Sequence, residues 1–296
     1  MMTKQTTVLF LICAFLLSSC GNSTTGSSNS SVTTNQLQQS KEEIIDPNTE
    51  VSNPTNVPTK EPVVTEQDPA TTKPETAEEA TIELKYHMNK NYDIIPNDEG
   101  TPKKVVLLTF DDGPKEADMI NRMIDTLDKH HAKAIFFVNG YKVKENPDLL
   151  KLIHDREQII GNHSWDHIVL KSKSETEVKK QIEDVQKAVK DITGQAPVFF
   201  RPPHGAGGDV GKKVAKDNGM LYMTWSNGSL DWEMKASDAN KTTALIKNVT
   251  DQLHSGSNIL MHELPWTVEA LEALLTELEG RGYTFVDPRS IELEMR

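Results

Sequence analysis

Cysteine is scarce in this chain, two among 296 residues, Cys13 and Cys20. A disulfide-framed scaffold is thereby excluded, because such scaffolds carry several pairs in a short chain. Basic residues are also in deficit, 32 Lys and Arg against 44 Asp and Glu, for a formal charge of -12. A surface with that balance does not hold nucleic acid by neutralising phosphates, so no nucleic-acid partner is expected. Long apolar runs are missing: Val8 to Leu17 covers about ten residues where a bilayer-spanning helix needs roughly 20. What remains, 36% hydrophobic and 26% charged residues, is neither collagen-like nor disordered throughout and can bury a sizeable core.

Lys4 followed by the apolar run reads as a secretory signal over residues 1–19. The run ends in Leu17-Ser18-Ser19-Cys20-Gly21, which resembles a bacterial lipobox, and that resemblance implies lipidation of Cys20 as the first residue of the mature chain. With its thiol blocked and Cys13 removed, no disulfide forms, and the fold rests on its core. The expected location is the outer face of the cell membrane, anchored by lipid and facing the cell wall. Residues 20–80 are rich in Ser, Thr, Asn, Gln, Glu and Pro, a composition that cannot offset chain entropy by burial, and are read as a disordered linker. Between Gly21 and Ala80 three lysines oppose ten acids, so over half the net charge belongs to the tether. As a random coil it would span roughly 40 to 45 Å, which holds the folded domain, residues 81–296, near a membrane rather than against it.

From about Lys103 the apolar pattern alternates between short β-type runs and amphipathic periods. Strands are predicted at Val105–Phe110, Ala134–Val138, Gln158–Asn162, Val198–Arg201, Leu221–Ser226, Ile259–His262 and Tyr283–Val286. Between them helices are predicted at Ala117–His130, Pro147–Asp155, Ser174–Ile192, Val210–Asn218, Asn240–His254 and Thr267–Arg281, the third opened by Ser174 and Glu177 at capping-box spacing. Seven apolar strands alternating with helices imply parallel βαβ units, as a barrel or an open doubly wound sheet. No internal repeat is present. Between residues 81 and 102, Tyr86, Tyr92, Ile94 and Ile95 suggest a further strand or flap.

The polar residues fall at one kind of place. Asp111 and Asp112 end the first strand, His163 and His167 follow the third, and Arg201 and His204 follow the fourth. Asp231 and Trp232 come after the fifth, and His262 ends the sixth. In parallel α/β folds these carboxyl ends open on one face, where active sites are built, so the set should converge. His163 and His167, four apart, face one way on a helical turn and with Asp112 make a three-ligand metal site with an open position. Ser164 stands where a metalloprotease helix carries its Glu, so a peptidase lacks its base. Asp111 is then free to act as a base on water, kept ionised by Arg201. His262 is placed to protonate a leaving amine, with Asp231 holding its ring and raising its pKa. The constellation suits metal-assisted hydrolysis of an amide.

These residues resemble the polysaccharide deacetylase family, also called the NodB homology domain or carbohydrate esterase family 4, over about Lys103 to Asp287. Thr109-Phe110-Asp111-Asp112-Gly113-Pro114 resembles its first motif, His163-Ser164-Trp165-Asp166-His167 its second, and Arg201-Pro202-Pro203-His204-Gly205 its third. Ser229-Leu230-Asp231-Trp232 resembles most of the fourth and Leu260-Met261-His262 the fifth. The resemblance implies a distorted (β/α) barrel as a single catalytic domain. It implies a divalent metal, Zn²⁺ or Co²⁺, on Asp112, His163 and His167, with Asp111 as base, Arg201 as its partner, His262 as acid and Asp231 as orienter. His204, Trp232 and Leu260 would line the substrate groove, Leu260 at the acetyl methyl, and the backbone N–H at His204 would help hold the oxyanion. Two departures stand out: His204 where the family often has Tyr or Phe, and Gly228 where the fourth motif often begins with Asp.

The family removes N-acetyl groups from chitin-like or peptidoglycan sugars, or O-acetyl groups from xylan. Joined to the tether, the motifs point to N-deacetylation of peptidoglycan, N-acetylglucosamine ahead of N-acetylmuramic acid. The alternatives are a deacetylase of chitin-like oligosaccharides and a weakly active or non-catalytic wall-binding lipoprotein. A phosphodiesterase fits less well, since Arg201 alone is placed to clamp a phosphate. Of the tryptophans, Trp232 and Trp266 are expected to stack on sugar, Trp225 to sit in the core, and Glu263 with Pro265 to shape the groove rim.

Overall fold

A computed structural model describes residues 82–296; the predicted signal segment, Cys20 and the predicted linker lie outside the described residues. The elements are β1 (Tyr86–Met88), β2 (Ile94–Pro96), β3 (Val105–Gly113), α1 (Ala117–Lys129), β4 (Ala134–Val138), α2 (Gly140–Glu145), α3 (Pro147–Asp155) and β5 (Ile159–Asn162). They continue as α4 (Glu175–Thr193), β6 (Phe199–Phe200), α5 (Gly208–Asp217), β7 (Leu221–Tyr222), β8 (Asn227–Gly228), α6 (Lys241–Asp251), β9 (Ser257–His262), α7 (Pro265–Gly280), β10 (Thr284–Phe285) and β11 (Ile291–Met295).

Seven parallel strands run in the order β7-β6-β5-β4-β3-β9-β8, with β10 paired to β3. This is a distorted (β/α) barrel. Alternation along each strand divides the core in two, as a period of two requires. Val106, Leu108 and Phe110 of β3 and Ala134, Phe136 and Val138 of β4 pack with α1, α3, α4, α6 and α7. Val105, Leu107, Ile135 and Phe137 form an inner cluster with Phe199, Leu221 and Met223. That register puts Thr109 and Asp111 on the inner face of β3, above Leu107.

The predicted strand Leu221–Ser226 stops at Tyr222, the end of β7, and the next strand, β8, begins at Asn227. The Met223 N–H donates to the Phe200 carbonyl at 2.9 Å, whereas the Ser226 N–H donates to the Asn258 carbonyl at 3.1 Å. The chain thus changes neighbours across the barrel seam, because one straight strand cannot reach both β6 and β9. The carbonyl of Thr224, stranded in the seam, accepts from Arg201 Nε at 3.1 Å and from Asn258 Nδ2 at 3.1 Å.

The stretch before β3 is an antiparallel hairpin, β1 with β2, and β1 also pairs in parallel with β11. Tyr86, Met88 and Ile94 join the inner cluster from this hairpin. Gly256 receives it: the Ile94 N–H donates to the Gly256 carbonyl at 2.8 Å, and with φ 83° a Cβ there would lie 2.2 Å from the Ile94 carbonyl oxygen, so no other residue fits. The six-residue α2 is too short to announce itself by period. The capping box of α4 forms as predicted, Ser174 Oγ accepting from the Glu177 N–H at 3.3 Å and Glu177 Oε2 from the Ser174 N–H at 3.1 Å.

Candidate active site

Strand β3 runs three residues past its predicted end, and this decides where the two aspartates point. Asp111 pairs with Phe137 of β4 but Gly113, not Asp112, pairs with the next residue, Val138. Asp112 is the extra residue of a β-bulge, with φ 67°, and the bulge swings it to the side its neighbour already faces. Left-handed φ outside glycine costs about 1–3 kcal/mol per residue. Ser164 (64°), His167 (53°), His204 (57°) and Leu230 (56°) share it around the pocket, as Tyr92, His131, Glu157 and Asn240 do elsewhere in the fold.

In that pocket one ligand atom from each of Asp112, His163 and His167 lies within 4.8 Å of the others. His167 Nε2 is 3.1 Å and His163 Nε2 3.5 Å from Asp112 Oδ1. His163 is fixed by its other nitrogen, since Nδ1 donates to the Arg201 carbonyl at 2.7 Å, which leaves Nε2 as a lone pair facing the carboxylate. Burial holds both imidazoles below their ordinary pKa, against the pull of Asp111 and Asp112. Burial opposes ionisation of Asp112, but His163, His167, His262 and Lys142 outweigh it and keep the carboxyl below its usual range. Asp112 Oδ1 is buried and has no hydrogen-bond donor. Neutral imidazoles and an ionised carboxylate aimed at one point are a donor set for a divalent cation, and the residues fit that group.

Behind the ligands Arg201 is fully buried. Its five N–H groups are all used: Nη1 donates to Asp111 Oδ1 and Thr109 Oγ1, both at 2.7 Å, Nη2 to the Thr224 carbonyl at 2.8 Å and Asn258 Oδ1 at 3.2 Å, and Nε again to Thr224. The guanidinium lies over Phe137, 4.4 Å from the ring centre. Asp111 Oδ1 is therefore committed, and Oδ2 faces the pocket, 3.6 Å from His163 Nε2.

Across the site Asp231, also fully buried, grips the end of β9. Its Oδ1 is 2.7 Å from His262 Nδ1, and its Oδ2 accepts from the His262 N–H and from Thr267 Oγ1, each at 2.7 Å. The His262 ring can turn only Nε2 outward. Burial alone would lower the pKa of His262, but the hydrogen bond and charge of Asp231, with Asp111 and Asp112, reverse this and raise it above 6.5. Its charged form therefore persists above that pH and is lost as pH rises through the folded pKa. If His262 supplies a proton, Asp231→Asn should move the alkaline limb of the rate profile to lower pH. A pH series of kcat/KM checks this, and an unmoved limb would contradict it.

His204 is exposed, its ring 4.8 Å from that of His167. Trp232 is 39% exposed and meets His262 edge to face at 5.5 Å, while Leu260 is buried in β9 beside Gly228. A Cβ on Gly228 would come within 3.2 Å of the Trp232 ring, so the departure at this position makes room for that indole. Trp225 is not core: it is half-buried in the seam, its ring 6.4 Å from that of Trp232. Trp266 donates Nε1 to the Asp231 carbonyl at 2.9 Å and so braces the loop. Glu263 is not on the rim. It is 1% exposed, and Oε1 accepts the Lys115 and Glu116 N–H groups at 2.9 and 3.0 Å, fastening the loop after β3. Thr109, Asn258 and Thr267, which complete these bonds, carry no sequence signal beyond their places in predicted elements.

A family profile described as polysaccharide deacetylase matches residues 98–223, which includes Asp111 to His204 of the site and stops short of Asp231, Leu260 and His262. Over 226 residues the chain is 36% identical to the peptidoglycan-N-acetylglucosamine deacetylase PgdA of Listeria monocytogenes, covering 74% of this chain and 46% of that protein. It thus spans about half the length of that relative. Over 200 residues it is 34% identical to the peptidoglycan-N-acetylmuramic acid deacetylase PdaA of Bacillus subtilis, covering 66% of this chain and 75% of that one. Among solved structures, a carbohydrate esterase family 4 pseudoenzyme from Bacillus anthracis is similar with TM-score 0.58 and 33% identity, over 62% of this chain and 63% of that one.

Proposed function

The chain belongs to the polysaccharide deacetylase family, and from that premise we propose that it hydrolyses N-acetyl groups of peptidoglycan, N-acetylglucosamine first among them. The observation that carries this is the meeting of the Asp112, His163 and His167 cluster with two buried pairs, Asp111 with Arg201 and Asp231 with His262.

A divalent cation, Zn²⁺ or Co²⁺, on Asp112, His163 and His167 would supply Lewis acidity toward the acetyl carbonyl and acidify the attacking water. Asp111 takes the proton of that water at Oδ2, its other oxygen being tied to Arg201. As the water oxygen bonds to the acetyl carbon and the C–N bond breaks, His262 delivers its proton to the nitrogen. Acetate leaves and a free amine stays on the sugar. Trp232 offers an exposed indole for a sugar face, and Leu260 an apolar wall for the acetyl methyl.

A non-catalytic wall-binding role is the second reading, favoured by the similarity to a pseudoenzyme and by Gly228. The intact set of acid, base and ligands argues for turnover. Incubation with purified peptidoglycan followed by mass spectrometry of the released sugars tests the choice: acetyl loss from N-acetylglucosamine is expected, loss from N-acetylmuramic acid alone would reassign the sugar, and no loss would favour the binder. The lipobox-like Leu17 to Gly21 supports a lipid anchor at Cys20 facing the wall. Labelled palmitate should enter the parent chain and not Cys20→Ser; equal labelling would remove the anchor.

A further inference from the structure

The chain on both sides of Asp112 is held by one residue from another strand end. Glu263, which follows His262, donates its backbone N–H to the Asp111 carbonyl at 3.3 Å. Its side chain reaches past the bulge, where Oε1 accepts the N–H groups of Lys115 and Glu116 at 2.9 and 3.0 Å. Between these two grips Oε2 lies against Gly113, where a Cβ would stand 2.7 Å from it. Gly113 has no left-handed φ, so space for the carboxyl group, not backbone conformation, accounts for glycine there.

Glu263 is 1% exposed, and its Oε2 is buried with no hydrogen-bond donor. Burying a carboxyl group with one oxygen unpartnered costs stability. What the arrangement secures is the course of the chain around Asp112, whose φ is 67°. Such a conformation outside glycine persists only where the surrounding structure over-determines it. Pairing of Gly113 with Val138, and the bond from Lys142 Nζ to the Asp112 carbonyl, act on the bulge itself. Glu263 fixes the chain before the bulge and after it, and ties both to β9, the strand that carries His262.

We infer that Glu263 is a positioning residue for the metal site, holding Asp112 in the conformation that aims its carboxylate at His163 and His167. The inference rests on the reading of those three residues as a metal site and is independent of the sugar. Without the bulge, residue 112 would take an ordinary strand φ and its carboxylate would turn to the face opposite Asp111, as successive strand residues alternate. His163 is fixed separately, by the Arg201 carbonyl. The loss would therefore fall on the carboxylate and leave that imidazole in place.

Two substitutions separate the acceptor from the charge. Glu263→Gln keeps an oxygen for Lys115 and Glu116, and its amide nitrogen replaces an oxygen that accepts nothing, so zinc affinity should match that of the parent. Glu263→Met fills similar space without an acceptor and should weaken zinc binding by about 10- to 100-fold, the usual cost of losing a partner behind a metal ligand. Competition with a chelator measures the affinity of the full chain, and circular dichroism confirms that each variant is folded. Crystal structures of the metal-free parent and Glu263→Met report φ at residue 112, which should leave the left-handed region in the variant. Parent-like affinity in Glu263→Met, a φ there that stays left-handed, or an equal loss in Glu263→Gln would overturn the role. If Glu263→Met does not fold, Glu263→Asp, one methylene too short to reach both N–H groups, takes its place under the same criteria. A parent chain that binds no zinc would remove the metal reading, and φ at residue 112 then decides alone: its change upholds the hold on Asp112, and its persistence overturns it.

Discussion

Asp111→Asn should lower kcat about a thousandfold, within the 10²–10⁴ that a positioned base contributes, while metal affinity changes little. The asparagine keeps an oxygen where Arg201 Nη1 now donates to Asp111 Oδ1 at 2.7 Å, so the guanidinium retains its bonds and the barrel its packing. What disappears is the acceptor for the water proton. The metal cluster of Asp112, His163 and His167 does not include Asp111. Single-turnover rates with parallel zinc titration separate the two effects. A variant that keeps the parent rate would place the base elsewhere, and one that loses zinc binding would make Asp111 a ligand.

Arg201→Met should produce the largest loss of stability. Removing one partner of a buried pair leaves a charge uncompensated and costs about 3–5 kcal/mol. Here Asp111 would be that charge, 3% exposed, and the Thr224 carbonyl in the seam would lose two of its donors. For a domain of this size the loss corresponds to a fall in Tm of roughly 6–20 °C. Replacing both partners, as Asp111→Leu with Arg201→Met, should recover part of it, because no lone charge is then buried. Thermal unfolding of the single and double variants checks this; a single variant within a degree or two of the parent would show that the pair does not hold the seam.

The strand ends were readable because chemistry and periodicity coincide there: Asp111, His163, Arg201 and His262 each follow an apolar run, and parallel topology brings such ends together. The direction of Asp112 was not readable, since a bulge depends on pairing with β4 across the sheet, which no local pattern encodes. The same holds for Leu221 to Ser226, whose apolar run looks like one strand and is divided by the seam. Trp225 reads as core for that reason, yet it lies half-buried in the crossing itself. Glu263 follows His262 and reads as an exposed rim residue, yet two backbone N–H groups from a distant loop draw it inside.

Acetate release from purified peptidoglycan, measured on the metal-stripped protein, the protein reloaded with zinc or cobalt, and reloaded Asp111→Asn, tests the central claim most directly. Release by the reloaded parent protein and little from the other two is the expected result. Equal release from stripped and reloaded protein, or none from a folded protein that binds zinc, would contradict it.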